Sequence, residues 1–196
     1  MFANRYTAFV DACALVGVLK RNVLLTLAEA EFFRVRWSKE VLDETERAIE
    51  RYLTEAGQLN AAQEARTQRA RMESAFEEAT VEGYETFASS CQGLPDKNDV
   101  HVVAAALKTR ASTIVTDNIS DFPAAILTPL NLEARTSDAF IADTITLDPG
   151  KAVAAIKRMR ERFNRPQLTS EQLLLTMEAR GLTETADILR PYVESL

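Results

Sequence analysis

The stretch from Pro95 to Phe122, PDKNDVHVVAAALKTRASTIVTDNISDF, decides how this chain folds. Asp96 can cap a helix N-terminus, and Asp99 falls in the first turn, where a carboxylate suits the helix dipole. Val102, Val103, Ala105, Ala106 and Leu107 supply apolar surface, and the small alanines let this helix approach a sheet closely. Ser112 to Thr116 is β-prone, and Asp117, Asn118 and Asp121 follow at its C-terminal end. Ligands of open α/β sheets bind at that end of the strands. The stretch therefore brings a helix-borne acid and strand-end acids toward one edge.

Outward from this centre, the chain reads as alternating strands and helices. Phe9-Val10 ends a short buried strand at Asp11, and a helix follows to about Glu31, with a break expected near Lys20-Arg21-Asn22. Phe32 to Trp37 alternates and is aromatic, which predicts a second strand. Ser38 is placed to cap a helix over 39–53, whose apolar stripe is Val41, Leu42, Thr45, Ile49 and Leu53. Residues 58–79 read as a long solvated helix and 81–91 as a short helix or connector. Beyond the central stretch, 125–127 and 132–134 are weakly strand-like. Helices are expected from Asp138 to about Thr146, from Asp148-Pro149 to about Phe163, from Thr169 to a Gly181 cap, and over 183–193. The alternation up to about Ala134 predicts a parallel sheet covered on both faces, and the tail is helical only. The division expected is 1–135 for the α/β domain and 136–196 for a helical C-terminal extension.

With 196 residues, 46% apolar and 27% charged, the chain can bury one sizeable core and carry an appendage. The first residues lack the apolar core of a secretory signal, and Asp11 interrupts an apolar run too short to span a bilayer. This reading expects a cytoplasmic protein without membrane contact. Two cysteines, Cys13 and Cys91, suit buried thiols in a reducing compartment, and a single histidine excludes His-rich zinc sites. A net charge of −6 argues against non-specific nucleic-acid binding over the whole surface.

The acids carry the functional signal. Asp11 ends the first strand, Asp117 and Asp121 follow the central one, and Asp99 and Glu44 reach the same edge from two helices. Gathered carboxylates raise one another's pKa, and a divalent metal is the usual relief. Carboxylates with few histidines suit Mg²⁺ or Mn²⁺, and two such ions ~3.5–4 Å apart can activate a water against a phosphodiester. Taken singly, an Asp at a strand end is more often a cap or turn residue, and Asp96, Asp138 and Asp148 are read that way. Asp117-Asn118 also fits simple turn chemistry.

Four pieces, FVDA with Asp11, WSKEVLDE with Glu44, LPDKNDVHVVAAAL with Asp99 and IVTDNISDFP with Asp121, resemble the PIN-domain ribonucleases, in particular the VapC-type toxins. Their order and spacing agree over about the first 130 residues. The resemblance implies a three-layer α/β/α fold and a Mg²⁺- or Mn²⁺-dependent endoribonuclease, the toxin of a toxin–antitoxin pair. It implies catalytic roles for Asp11, Glu44, Asp99 and Asp121, with Asp11, Asp99, Asp117 and Asp121 as metal ligands and Thr116 and Asn118 in support. It further implies an RNA substrate such as tRNA, a cognate antitoxin and a homodimer. Asn118 stands where many members have Asp, and Ala12 where many have Ser or Thr. The rival from another class is an inactive PIN-fold RNA-binding or scaffold protein, against which retention of four acids argues.

Lys151 to Arg165 carries Lys157, Arg158, Arg160 and Arg162, a basic segment suited to RNA phosphates. Equally, it can be a solvated helix face with Val153, Ile156, Met159 and Phe163 turned to the core. His101 is read as a helix residue packing near the site, and Trp37 and Phe32-Phe33 as core.

Overall fold

Strand β1 (Thr7–Val10) runs through the middle of the molecule, every residue buried, as a strand covered on both faces must be. A computed structural model describes residues 6–163 and 167–196. The chain then forms α1 (Ala12–Val16), α2 (Val18–Glu29), β2 (Arg34–Ser38), α3 (Lys39–Glu55), α4 (Ala61–Ala75) and β3 (Thr80–Val81). Next come α5 (Val100–Thr109), β4 (Thr113–Val115), α6 (Ala124–Leu127), β5 (Glu133–Arg135) and α7 (Ser137–Leu147). Helices α8 (Pro149–Glu161), α9 (Ser170–Ala179) and α10 (Thr183–Leu189) complete the tail. The strands make one parallel sheet in the order β3-β2-β1-β4-β5. This is the three-layer α/β/α architecture expected, with helical elements following it.

That strand order has a reversal at β1. From β1 the chain steps outward to β2 and β3, then crosses back to β4 on the other side of β1. A crevice opens at such a reversal, beyond the carboxyl ends of the strands. Register sharpens the placement: Val10 lies opposite Val115, so the next residues, Asp11 and Thr116, are neighbours. The Asp11 amide donates to the Val115 carbonyl at 3.0 Å, and the Thr116 amide to the Arg135 carbonyl at 2.9 Å.

Local rules account for most of the framework. Ser38 caps α3 by accepting from the Val41 amide at 3.2 Å, and the predicted stripe of Val41, Leu42, Thr45, Ile49 and Leu53 is buried. Asp148 caps α8 ahead of Pro149, and Thr169 and Gln172 form a capping box on α9. Gly181 takes φ 77°, the left-handed conformation that ends α9. Asp96 accepts from the Asn98 amide at the turn leading into α5.

Four expectations differ from what forms. The first long helix breaks at Gly17, not near Lys20-Asn22. The solvated helix stops at Ala75. Phe76 turns edge-on to Trp37 (centroids 5.9 Å apart), and the Trp37 amide binds the Ala79 carbonyl, so Thr80-Val81 becomes an edge strand. Residues 124–127 form a helical turn instead of a strand, because Pro123 accepts from the amides of Ile126 and Leu127. Helix α7 is capped by Thr136, not Asp138, whose carboxylate reaches the other way and accepts from the Glu184 amide (2.8 Å), the Thr185 amide (2.9 Å) and the Thr185 hydroxyl (2.7 Å). Asp138 therefore does cap a helix, but it is α10.

The tail shares the core of the sheet. Phe140, Ile141, Ile145, Ile156, Leu173 and Leu189 join the same buried cluster as Phe9, Trp37 and Ile114. Phe140 meets Phe33 edge-on at 4.9 Å, and α8 packs along α2. No helix among the described residues is long and apolar enough to cross a membrane.

Candidate active site

Asp11 is the floor of the crevice. Its side chain is 5% exposed, an uncommon place for a carboxylate, and three donors hold it there. The Ala12 amide reaches Oδ1 at 2.7 Å, and the Thr116 hydroxyl (2.8 Å) and the Cys13 thiol (3.1 Å) reach Oδ2. Thr116 accepts in turn from the Asn118 amide at 3.1 Å, which ties the loop after β4 to the floor. Cys13 is thus a polar partner and not simply a small apolar filler. Burial, with the Asp11 carboxylate beside it, pushes its thiol up to about 12, so it stays protonated and donates. Both cysteines are free, as expected.

Asp11, Glu44, Asp99 and Asn118 line one open cleft of about 700 Å³. The helix dipole does not relieve Asp99. Burial, then the neighbouring charges of Asp11, Asp96 and Asp121, push its carboxyl up to about 6, and His101 offsets this only in part. Asp121, in a 3-10 turn after β4, is therefore close enough to belong to the acidic group although it does not line the cleft. Glu44 approaches His101 Nε2 at 3.4 Å. Burial works against the charged imidazole, but Glu44, Glu40 and Asp11 together hold it above the ordinary histidine value. The His101 Nδ1 atom is buried without a hydrogen-bond partner.

Asp117 is used elsewhere. One oxygen pairs with Lys20 on α2, and the other accepts from the Ser137 amide at the start of α7, at 3.0 Å. Burial alone would raise its carboxyl, but Lys20 and the Ser137 amide bring it below the usual range. This carboxylate joins α2 to α7 and does not face the cleft lined by Asp11 and Asp99.

Three of the basic residues on α8 and at its C-terminal cap have partners within the protein. Arg160 donates to the Leu168 carbonyl at 2.6 Å, Lys157 to the Ser195 carbonyl at 3.4 Å, and Arg162 pairs with Glu29 at 3.5 Å. Arg158 is exposed, and Arg165 lies outside the described residues. Val153, Ile156 and Met159 are buried and Phe163 packs on the core, as the core-facing alternative for this helix requires. Sequence reasoning passed over Arg47, Arg51 and Tyr52, which line the acidic cleft from α3. Their signal was available: they follow Glu44 at three, seven and eight residues, the spacing of one helix face.

The acids lining the cleft, Asp11, Glu44 and Asp99, offer hard carboxylate oxygens, which suit a divalent ion such as Mg²⁺ or Mn²⁺. Among the described residues no three His, Cys, Asp or Glu side chains are gathered closely enough to hold a metal by themselves. Mg²⁺ does not need such a cage, since it commonly keeps several waters and binds through one or two carboxylates plus substrate phosphates. The uncompensated burial of Asp99 beside Asp11 is the local deficit that a cation would offset.

Comparison with known proteins agrees with this architecture. The PIN domain family model matches residues 7–120, and the VapC50 C-terminal domain model matches residues 137–191. A Mycobacterium tuberculosis protein named "Putative ribonuclease VapC50" is 37% identical over 76 residues, covering 39% of this chain and 45% of that protein. The match thus spans less than half the length of this relative. No solved structure matches the chain significantly. With the sheet order, the strand-end acids and a match over more than half of its residues, this chain belongs to the PIN-domain family, its PIN domain followed by a VapC50-type C-terminal domain.

Proposed function

We propose that the protein is a divalent-metal-dependent endoribonuclease of the VapC type, acting as the toxin of a toxin–antitoxin pair. The observation that carries this reading is the meeting of Asp11, Glu44 and Asp99 in one cleft at the sheet reversal, with Asp99 held near pKa 6 by its acidic neighbours. Asp11, Asp99 and Asp121 are the residues suited to hold Mg²⁺ or Mn²⁺, and Glu44 the acid suited to orient the attacking water. When bound, the ion supplies charge neutralisation and Lewis acidity at the phosphodiester. Asp11 is rigidly oriented by Ala12, Cys13 and Thr116, so it presents a fixed oxygen instead of a mobile one. Glu44 is oriented by His101, whose Nε2 lies 3.4 Å from its carboxylate. In the hydrolysis, the water oxygen bonds to phosphorus as the bond to one RNA oxygen breaks; that oxygen departs with the bonding pair and takes a proton from solvent, and the water's own proton passes to a cleft carboxylate.

The relative's name supports a ribonuclease reading, and the matching C-terminal domain supports a close relation to that protein. An RNA substrate, tRNA among the candidates, an antitoxin partner, a homodimer and a cytoplasmic location belong to this proposal by the same relation. Asp117 contributes through the Lys20 and Ser137 contacts, holding the loop that carries Asn118 and Asp121, and not as a direct metal ligand. The division at residues 135/136 is kept as a boundary between sequence modules.

The test is cleavage of a tRNA or total-RNA pool by antitoxin-free protein, with Mn²⁺ and with EDTA, comparing the parent with Asp11→Asn and Asp99→Asn. Discrete fragments from the parent alone, and only with metal, are expected. Pure, folded, metal-saturated protein that leaves every RNA intact would move the assignment to an RNA-binding PIN fold without catalysis.

A further inference from the structure

The cleft that gathers the acids continues along α3 beyond Glu44, and the chemistry above uses none of that continuation. Along α3 the residues facing the cleft are Glu44, Arg47, Ala48, Arg51, Tyr52 and Glu55, one continuous helical face. At 1.5 Å per residue this face prolongs the cleft by ~16 Å from Glu44 to Glu55. Ala48 on this wall, and Ala12 beside Asp11, are small and leave the groove open.

The charges of α3 are sorted by direction. On the side facing α4, Asp43 and Glu46 are both held by Arg69, with Lys39 and Arg66 adding further contacts. On the cleft side, Arg47 and Arg51 are exposed and make no hydrogen bond or ion pair with any described residue. In a chain of net charge −6, two unpaired guanidinium groups thus stand in the cleft where Asp11, Glu44 and Asp99 meet. Next to them Tyr52 leaves 54% of its surface in solvent. Two free cations ~6 Å apart along the helix, followed by an open aromatic face, match successive phosphates and one unstacked base.

We propose that Arg47, Arg51 and Tyr52 form a substrate track for single-stranded RNA, entering or leaving the acidic centre on one side of the scissile bond. The inference rests on the ribonuclease reading and deepens it. Arg47 and Arg51 take two phosphates adjacent to the one being cut, and Tyr52 stacks on a base beyond them. Glu55 ends the track, because its carboxylate repels a further phosphate. A base-paired strand cannot use Tyr52, since its bases are stacked inside the duplex.

The experiment is anisotropy of a short fluorescein-labelled single-stranded RNA on the Asp99→Asn background, over a range of salt. Replacing both arginines (Arg47→Gln with Arg51→Gln) is expected to weaken binding at least ~10-fold and to lower the slope of log K against log salt by ~1.4, at ~0.7 per phosphate contact. Tyr52→Leu is expected to weaken binding ~10-fold with the salt slope unchanged, and to make no difference to a duplex of the same sequence. With Asp99 intact, the arginine variant raises KM more than it lowers kcat. Because all three side chains are exposed, folding is unaffected, as circular dichroism will verify. If the parent binds and cleaves RNA while the variants keep its affinity and slope, the track is wrong and the nuclease assignment stands. If the parent neither binds nor cleaves RNA, the nuclease assignment falls and the track falls with it.

Discussion

The Thr116 hydroxyl donates to Asp11 Oδ2 at 2.8 Å, joining the ends of two adjacent strands across 105 positions of sequence. It is one of three bonds that satisfy the Asp11 carboxylate at 5% exposure, where a buried oxygen left without a donor is costly. Thr116→Val should therefore destabilise the fold by ~2 kcal/mol, the range for a hydrogen bond to a charged group. Thr116→Ser should retain most of that stability. Urea denaturation of the three proteins will measure it, and equal midpoints for the parent and Thr116→Val would show that Ala12 and Cys13 suffice to hold Asp11.

Asp99 gives a pH dependence whose sign is fixed by its raised pKa. The folded chain binds this proton up to about pH 6, whereas an unfolded Asp releases it near the model value of 3.8. Between those values the folded state holds more protons, so this residue's contribution to stability falls as pH rises from about 4 to about 6 and stays low above. Asp99→Asn removes the penalty and should stabilise the metal-free protein at pH 7 by ~1 kcal/mol, after allowance for partial exposure. Mn²⁺ should raise the melting temperature of the parent and have much less effect on the variant. Melting both with EDTA and with Mn²⁺, at pH 5 and pH 7, tests both halves; a variant less stable than the parent at pH 7 would contradict the first.

His101 gives a second pH dependence, one that arises from attraction instead of repulsion. The imidazole is held above its ordinary value of 6.5 by Glu44, so the pair stabilises the fold fully below that pH and loses its effect as pH rises through the folded-state value. A double-mutant cycle with His101→Gln and Glu44→Gln should give a coupling of ~0.5–1 kcal/mol at pH 6 that vanishes by pH 9. Coupling that persists at high pH would mean a neutral hydrogen bond in place of an ion pair.

Asp138 should matter to the tail and not to the acids. Its carboxylate satisfies two amides and one hydroxyl at the start of α10, so Asp138→Ala should cost ~1–2 kcal/mol. Hydrogen exchange should speed up first in α9 and α10. Mn²⁺-dependent stabilisation should remain, and its loss would show that the tail supports the cleft.

The parallel sheet, its strand-end acids and the α3 stripe were legible because each depends on local signals: alternation, caps and 3.6-residue spacing. Edge strand β3 was not, since Thr80-Val81 follows a helix-forming run and becomes a strand only through Trp37, Phe76 and Ala79. The directions of Asp117 and Asp138 were hidden for a similar reason. Sequence shows that a carboxylate follows a strand or opens a helix, but not which distant amide it meets, Ser137 for one and Glu184 for the other. Arg47 and Arg51 were passed over because an exposed arginine on a helix is ordinary until its neighbours across the groove are known to be acids.

Asp117 has a practical consequence for anyone trimming this protein. Its carboxylate is shared between Lys20 of the α/β layer and the first amide of α7, and the same loop carries Asn118 and Asp121. A shortened chain ending near residue 135 would leave Phe33 without its Phe140 partner and Asp117 without the Ser137 amide. The helical tail is therefore not a detachable cassette: swapping it between relatives demands a matching graft at Phe33, Lys20 and Asp117, or the recipient inherits a bare aromatic face and a loosened acid-bearing loop.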